Sequence, residues 1–295
     1  MHPPSDLASD RPALVARPLD VTWIFGSPEP KYNTDPDIQV YAYDQNTIIL
    51  RQNLAVSYEA PFLFLLFGES RAVLLDTGAT ESAQFFPLRR TVDGLIDEWL
   101  AKHPSVERYP LLVLHTHPHG DHLAGDGQFA DRADTEVVSA LLENAFPYFG
   151  FDRAPDAVAS VELGGRVLHA LATPGHHEAA ITFYDSATGI LFTGDTVYPG
   201  RLYVSDWAAF DRTIDRLLKF CSTRPVTHVL GCHIEMSMTA GHDYPMGFSF
   251  HPDERPLELT PEHLHRIRET LDANGRRRDR YVLPELIITP VNPPA

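Results

Sequence analysis

The chain of 295 residues carries 40 acidic against 24 basic side chains, a formal net charge of -16, and is 43% hydrophobic. So acidic a surface repels phosphate backbones and anionic headgroups, which sets nucleic acid and membrane surfaces aside as expected partners. The two cysteines, Cys221 and Cys232, are too few for the disulfide framework of a small secreted domain, so a reducing, cytoplasmic setting is expected.

Pro3, Pro4, Pro12 and Pro18 punctuate a start without the apolar core of a signal peptide, and residues 1–30 read as an extended arm. No run of about 20 apolar residues follows, so no membrane span is expected. Three β-type runs come next: Thr47 to Leu50, Phe62 to Phe67 and Ala72 to Leu75. Gly68-Glu69-Ser70-Arg71 between the last two predicts a hairpin. Leu95, Ile96, Trp99 and Leu100 recur at helical spacing, which predicts an amphipathic helix from Thr91 to His103 with Thr91 as its N-cap. Leu111 to Leu114 is a short apolar run ended by a histidine-rich turn, and reads as a buried strand.

Further strands are expected at Val167 to Leu171, Ala180 to Tyr184, Ile190 to Phe192 and Thr227 to Leu230. One helix is expected from Trp207 to Phe220, with Phe210, Ile214, Leu217 and Leu218 on one face. Another starts at Thr260-Pro261, a cap followed by proline at the first helical position, and ends near Gly275. The basic run Arg276, Arg277, Arg278 and Arg280 reads as a solvated helix end. Strands in clusters with helices between them predict an α/β fold, two sheets packed face to face with helices outside. No repeat or linker divides the chain, so residues 31–289 are expected to form a single domain and 290–295 a tail.

The sequence Leu114-His115-Thr116-His117-Pro118-His119-Gly120-Asp121-His122 gathers four histidines and an aspartate directly after a buried strand. Neutral imidazoles and carboxylates are the ligands that borderline metals such as zinc prefer, and a tight turn lowers the entropy cost of aiming them at one point. A polar loop whose histidines fall together by accident remains open at this stage.

The pattern His117-x-His119-x-Asp121-His122 resembles the signature of the metallo-β-lactamase superfamily, and later stretches extend the resemblance in order. Thr173-Pro174-Gly175-His176 is similar to that family's glycine turn, Phe192-Thr193-Gly194-Asp195-Thr196 to its bridging-aspartate element, and Leu230-Gly231-Cys232-His233 to its last ligand. Leu74-Leu75-Asp76-Thr77-Gly78 resembles the early strand end whose aspartate supports the site from behind. The resemblance implies an αββα sandwich of two mixed sheets and a binuclear centre. His117, His119 and His176 would hold the first metal, Asp121, His122 and His233 the second, and Asp195 would bridge them. Two zinc ions are the expected cofactors, with iron or manganese as alternatives. A hydroxide between the metals would be the nucleophile, and Asp121 would orient it or pass its proton to the leaving group.

That reading makes the chain a metal-dependent hydrolase of a small ester, lactone or thioester, with a small-molecule substrate as partner; a homo-oligomer is compatible with it. Tyr198, three residues after Asp195, has a spacing similar to that in the acyl-homoserine lactonase branch, where a phenol contacts the substrate oxygen. An aromatic in a packing loop explains Tyr198 equally well. A single-iron persulfide dioxygenase using His117, His176 and Asp195 is an alternative on the same framework, as are β-lactamase, phosphodiesterase and a catalytically silent metal-binding protein. Asp195 argues against a true β-lactamase, and the C-terminal part offers one helix and the arginine run where a glyoxalase II type would carry a basic helical module. His115 is expected behind the site, His177 at the pocket wall or in solvent, and His242 and His251 at the surface; Cys232 reads as a small buried hydrophobe. The stretches Ile234 to Met238 and His242 to Met246 read as a loop that walls the pocket with soft side chains.

Overall fold

Apolar runs without a polar face have to be covered on both sides, and that requirement sets the layering of this chain. The computed structural model describes residues 14–104 and 108–291. Its first sheet contains β1 (Ile38–Asp44), β2 (Thr47–Gln52), β3 (Phe62–Phe67), β4 (Ala72–Leu75), β5 (Leu111–Leu114) and β6 (Thr135–Val137), in sequence order. Pairing is antiparallel as far as β4 and parallel from β4 to β6. Helix α1 (Leu88–Ala101) makes the crossover from β4 to β5, and the one-turn α2 (Gly120–Leu123) and α3 (Leu142–Phe149) lie on either side of β6 in sequence.

The second sheet begins with β7 (Val158–Glu162), β8 (Val167–Ala172), β9 (Ile181–Asp185) and β10 (Ile190–Gly194). The chain then leaves through β11 (Arg201–Val204) and α4 (Trp207–Cys221), and returns as β12 (His228–Gly231), parallel to β10. β13 (Glu258–Leu259) closes that sheet, whose order is β13-β12-β10-β9-β8-β7. Helix α5 (Pro261–Ala273), β14 (Tyr281–Val282) and β15 (Ile287–Pro290) follow, and β11, β15 and β14 form a small third sheet.

Three apolar clusters fill the spaces between the layers. Between the two large sheets, Phe62, Phe64, Leu66, Val73 and Leu112 face Leu168, Phe183, Ile190, Phe192 and Leu230. Behind the first sheet, Leu63, Leu65, Leu74 and Val113 pack against Leu88, Val92, Ile96 and Trp99 of α1. Behind the second, Leu191 and Val229 meet Phe210, Ile214 and Leu217 of α4 and Leu264, Ile267 and Leu271 of α5. The architecture is the expected α/β sandwich, helix, sheet, sheet, helix, with the third sheet as an addition the apolar pattern did not reveal.

Helix α1 starts three residues before the expected cap. Thr91 lies in its first turn, where its hydroxyl donates to the Pro87 carbonyl at 3.0 Å, because burial of Leu88 draws the start of the helix onto the sheet. Residues 1–13, with Pro3, Pro4 and Pro12, lie outside the described residues; the rest of the expected arm runs along the body. Leu19 and Trp23 are buried there, and the Trp23 ring meets Phe62 edge-on at 4.8 Å. Pro290, expected to open the tail, instead ends β15 opposite Val204, and residues 292–295 lie outside the described residues. No described helix is long and apolar enough to cross a membrane.

Candidate metal centre

Five strand ends converge at one edge of the sandwich and deliver the chemistry-bearing side chains. β4 runs into Asp76, a non-glycine residue at φ 63°, and β5 runs into the turn that carries His115 to His119. His119 occupies the cap position of α2, whose single turn presents Asp121 and His122. The β8–β9 turn supplies His176 after Gly175, where φ is +150° and a Cβ would sit 2.7 Å from the Phe210 Cα. β10 ends at Gly194, φ +53°, where a Cβ would come within 2.6 Å of the Thr116 Cβ; only glycine lets the chain turn there and aim Asp195 inward. β12 ends one residue before cysteine and two before His233.

Two groups of ligand-type atoms result, one of His117, His119 and His176, the other of Asp121, His122, Asp195 and His233. In the first, the Nε2 atoms of His117 and His176 each lie 3.0 Å from His119 Nδ1. In the second, the Asp121 Oδ2 is 3.3 Å from His122 Nε2 and 3.2 Å from His233 Nε2. Asp195 faces both: its Oδ2 lies 3.9 Å from His117 Nε2 and 3.7 Å from His176 Nε2, and its Oδ1 lies 3.4 Å from His122 Nε2 and 3.3 Å from His233 Nε2. His122 Nε2, His233 Nε2 and Asp195 Oδ1 are buried without a hydrogen bond. Such atoms are costly unless something satisfies them, and a cation among converging lone pairs does so; the residues present therefore fit bound metal.

The far side of most imidazoles is pinned. His176 Nδ1 donates to the Tyr203 carbonyl and His233 Nδ1 to the Glu59 carbonyl, both at 2.8 Å. His122 Nδ1 lies 2.9 Å from Asp76 Oδ2. A carbonyl or carboxylate on Nδ1 puts the ring proton there and leaves Nε2 free to bind metal. The buried Asp76 carboxylate also accepts from the Thr116 amide and hydroxyl at 2.7 and 2.8 Å, which ties the ends of β4 and β5 together. Asp76 is thus placed behind His122, as the resemblance implies.

Burial disfavours the charged form of His117 and His176 and lowers their proton affinity. Burial acts against ionisation of Asp121 and Asp195 too, but the adjacent His122 and His233 outweigh it and hold both carboxyls well below the usual carboxylate range. His122 and His233 move the other way, well above the ordinary imidazole value despite burial, because Asp195 and its neighbouring carboxylates favour their charged forms. Without metal, protons on those two rings offset the clustered negative charge.

The remaining candidates divide. His115 is buried behind the site with Nε2 2.8 Å from Asp126 and Nδ1 3.0 Å from the Val138 carbonyl. His177 is half-buried with its ring 5.1 Å from that of His119. Cys232 is fully buried, and burial pushes its thiol up to about 12. His242 is exposed, as expected, but His251 is not at the surface: it is buried, stacked on Tyr244 at 4.1 Å and bonded to Glu254. Tyr198 is 2% exposed, and its phenol donates to the Arg201 carbonyl, beside Glu235 at 3.3 Å. Its one hydroxyl proton is therefore spent within the protein. Sequence reasoning missed Glu59 and Tyr203, since each holds a histidine through its backbone carbonyl, and it missed the Arg201–Glu235 and Arg201–Asp243 ion pairs at 2.6 and 2.8 Å. No residue-type signal marks a carbonyl contact.

Residues 60–233 match the family described as Metallo-beta-lactamase superfamily. The human acyl-coenzyme A thioesterase MBLAC2 is 29% identical over 205 residues, which is 58% of this chain and 72% of the human protein. A hydroxyacylglutathione hydrolase of Chelativorans sp. (strain BNC1) is 29% identical over 138 residues, 46% of this chain and about half of that enzyme, 49%. Among solved structures, the metallo-beta-lactamase from Pontibacter korlensis superposes with a TM-score of 0.52 at 17% identity, over 80% of this chain and 99% of the other. That from Erythrobacter litoralis gives 0.53 at 16%, over 82% and 99%.

Proposed function

The chain belongs to the metallo-beta-lactamase superfamily and is a metal-dependent hydrolase; from that premise we propose that it holds two metal ions, zinc in the first instance, and hydrolyses a small thioester. Esters and lactones present the same acyl carbon and belong to the same reading. The observation that carries the two-metal assignment is Asp195, which turns one oxygen toward each ligand group. Support for a thioester comes from the relatives, since both printed names describe removal of an acyl group from a thiol carrier.

Metal bound there supplies Lewis acidity toward an acyl oxygen and lowers the pKa of water from 15.7 to about 7. The protein's part is orientation. Carbonyls of Tyr203 and Glu59 fix the rings of His176 and His233, and Asp76 fixes that of His122. Asp121, between His122 and His233 and less buried than Asp195, would orient the attacking water or pass its proton to the leaving sulfur. A single-iron oxygenase would need only His117, His176 and Asp195. The second group, Asp121, His122, Asp195 and His233, in which His122 Nε2, His233 Nε2 and Asp195 Oδ1 are buried without a partner, supports two metals.

The test is metal quantification on the purified protein, followed by assays on thioester, ester, lactone, β-lactam and phosphodiester panels. About two metals per chain with thioester, ester or lactone turnover is expected. One iron per chain with oxygen uptake on a persulfide overturns the reading.

A further inference from the structure

We infer that Tyr203 is the hydroxyl donor that meets the acyl oxygen of the substrate, an inference that rests on the hydrolase reading above. Strand β11 alternates, with Leu202 and Val204 buried in the cluster beneath α4 and α5 and with Arg201 and Tyr203 half-buried on the opposite face. The backbone carbonyl of Tyr203 fixes His176, a member of the first ligand group. Tyr203 lines a cleft together with Tyr58, Arg201, His233 and Glu235. A single residue thus touches one ligand group through its backbone and shares a cleft wall with His233 of the other.

The state of the hydroxyl completes the case. Tyr203 Oη accepts from Arg201 Nε at 2.8 Å and donates to no described residue, which leaves its proton available to a substrate. Arg201 is itself locked by Glu235 at 2.6 Å and by Asp243 at 2.8 Å. A cationic donor on the phenol oxygen polarises the O–H bond and makes it a better donor in turn. Tyr198, whose ring lies 5.6 Å from that of His233, has no such freedom, since its proton is given to the Arg201 carbonyl.

In the reaction, the oxygen of water bonds to the acyl carbon and the carbonyl π pair moves onto the acyl oxygen, where Tyr203 donates. The pair then returns as the bond to sulfur breaks, and the thiol leaves with the proton that water released. Tyr203 keeps its own proton throughout, so no further reactant is needed.

The test uses the metal-loaded holoenzyme, a thioester it turns over, and Tyr203→Phe, which keeps the ring. The expected result is a fall in kcat of about 10–100-fold, below the full loss of an oxyanion donor because metal shares the charge. KM, metal content and Tm should stay unchanged, and affinity for phenylphosphonate, a tetrahedral anion, should weaken about tenfold by calorimetry. Unchanged kcat and unchanged phosphonate affinity overturn the assignment. A joint loss of metal content, Tm and kcat also overturns it, by making the residue structural. If the wild-type protein hydrolyses no thioester, ester or lactone, the hydrolase reading falls first; an active wild type with a silent Tyr203→Phe sinks only the Tyr203 role.

Discussion

At the scale of single residues, the site depends on atoms that never touch metal. Asp76 accepts from Thr116 twice and from His122, and it does so at a positive φ that an aspartate adopts at some cost. Asp76→Ala is expected to lower metal affinity about 10–100-fold, measured by competition with a chromophoric chelator. Protons compete for the same atoms. His122 and His233 hold theirs well above the ordinary imidazole value in the metal-free protein, so those protons must leave before metal binds. Affinity should therefore fall as pH is lowered from 8 to 6, and a pH-independent affinity would show that neither ring is a ligand. Asp195→Ala removes the residue between the two groups while leaving the apolar clusters intact, so turnover should vanish with the far-UV circular dichroism spectrum preserved. Tyr198→Phe strips a donor from the Arg201 carbonyl and should destabilise by about 1–3 kcal/mol in urea unfolding.

Among the elements, α4 shows how a helix start and a ligand turn share one anchor. Its N-cap Asp206 accepts from the Ala209 amide at 2.9 Å, and the amides of Ser205 and Asp206 both bond the Gly175 carbonyl at 2.9 Å, one residue before His176. Asp206→Ala should cost about 1 kcal/mol, read as a lowered Tm. Both α4 and α5 were legible in advance, α4 from an apolar face repeating at helical spacing and α5 from the threonine cap and proline at its start. The start of α1 was not, since Pro87 offers no side-chain cap and the first turn forms where Leu88 finds the sheet. The edge strands β1 and β7 were also missed; exposed on alternate positions, they lack the continuous apolar run that marked β3 and β5.

Across the whole molecule, Arg166 joins the two large sheets at one end of the sandwich. It pairs with the fully buried Asp185 of β9 through two contacts of 2.8 and 2.7 Å, and its Nη1 donates to the carbonyls of Asn46 and Phe67 on the first sheet's side. Arg166→Met leaves Asp185 charged and unpaired in the interior, and should cost about 3–5 kcal/mol in urea unfolding. Arg166→Met combined with Asp185→Leu should be less damaging than the single change, because no lone buried charge remains.

By itself the sequence determined the layering and the ligand candidates. Uninterrupted apolar strands oblige helices on both outer faces, and the seven ligand-type residues stand in short motifs just after strand ends. Only the tertiary structure decided which phenol opens to the cleft and which backbone carbonyls hold the imidazoles. A carbonyl exists at every position, so Glu59 and Tyr203 carry no mark until the chain brings them against His233 and His176. The choice between Tyr198 and Tyr203 follows from the parity of β11, and that parity is set by its pairing with β15, more than eighty residues away in sequence, which turns Leu202 inward and leaves Tyr203 facing the cleft.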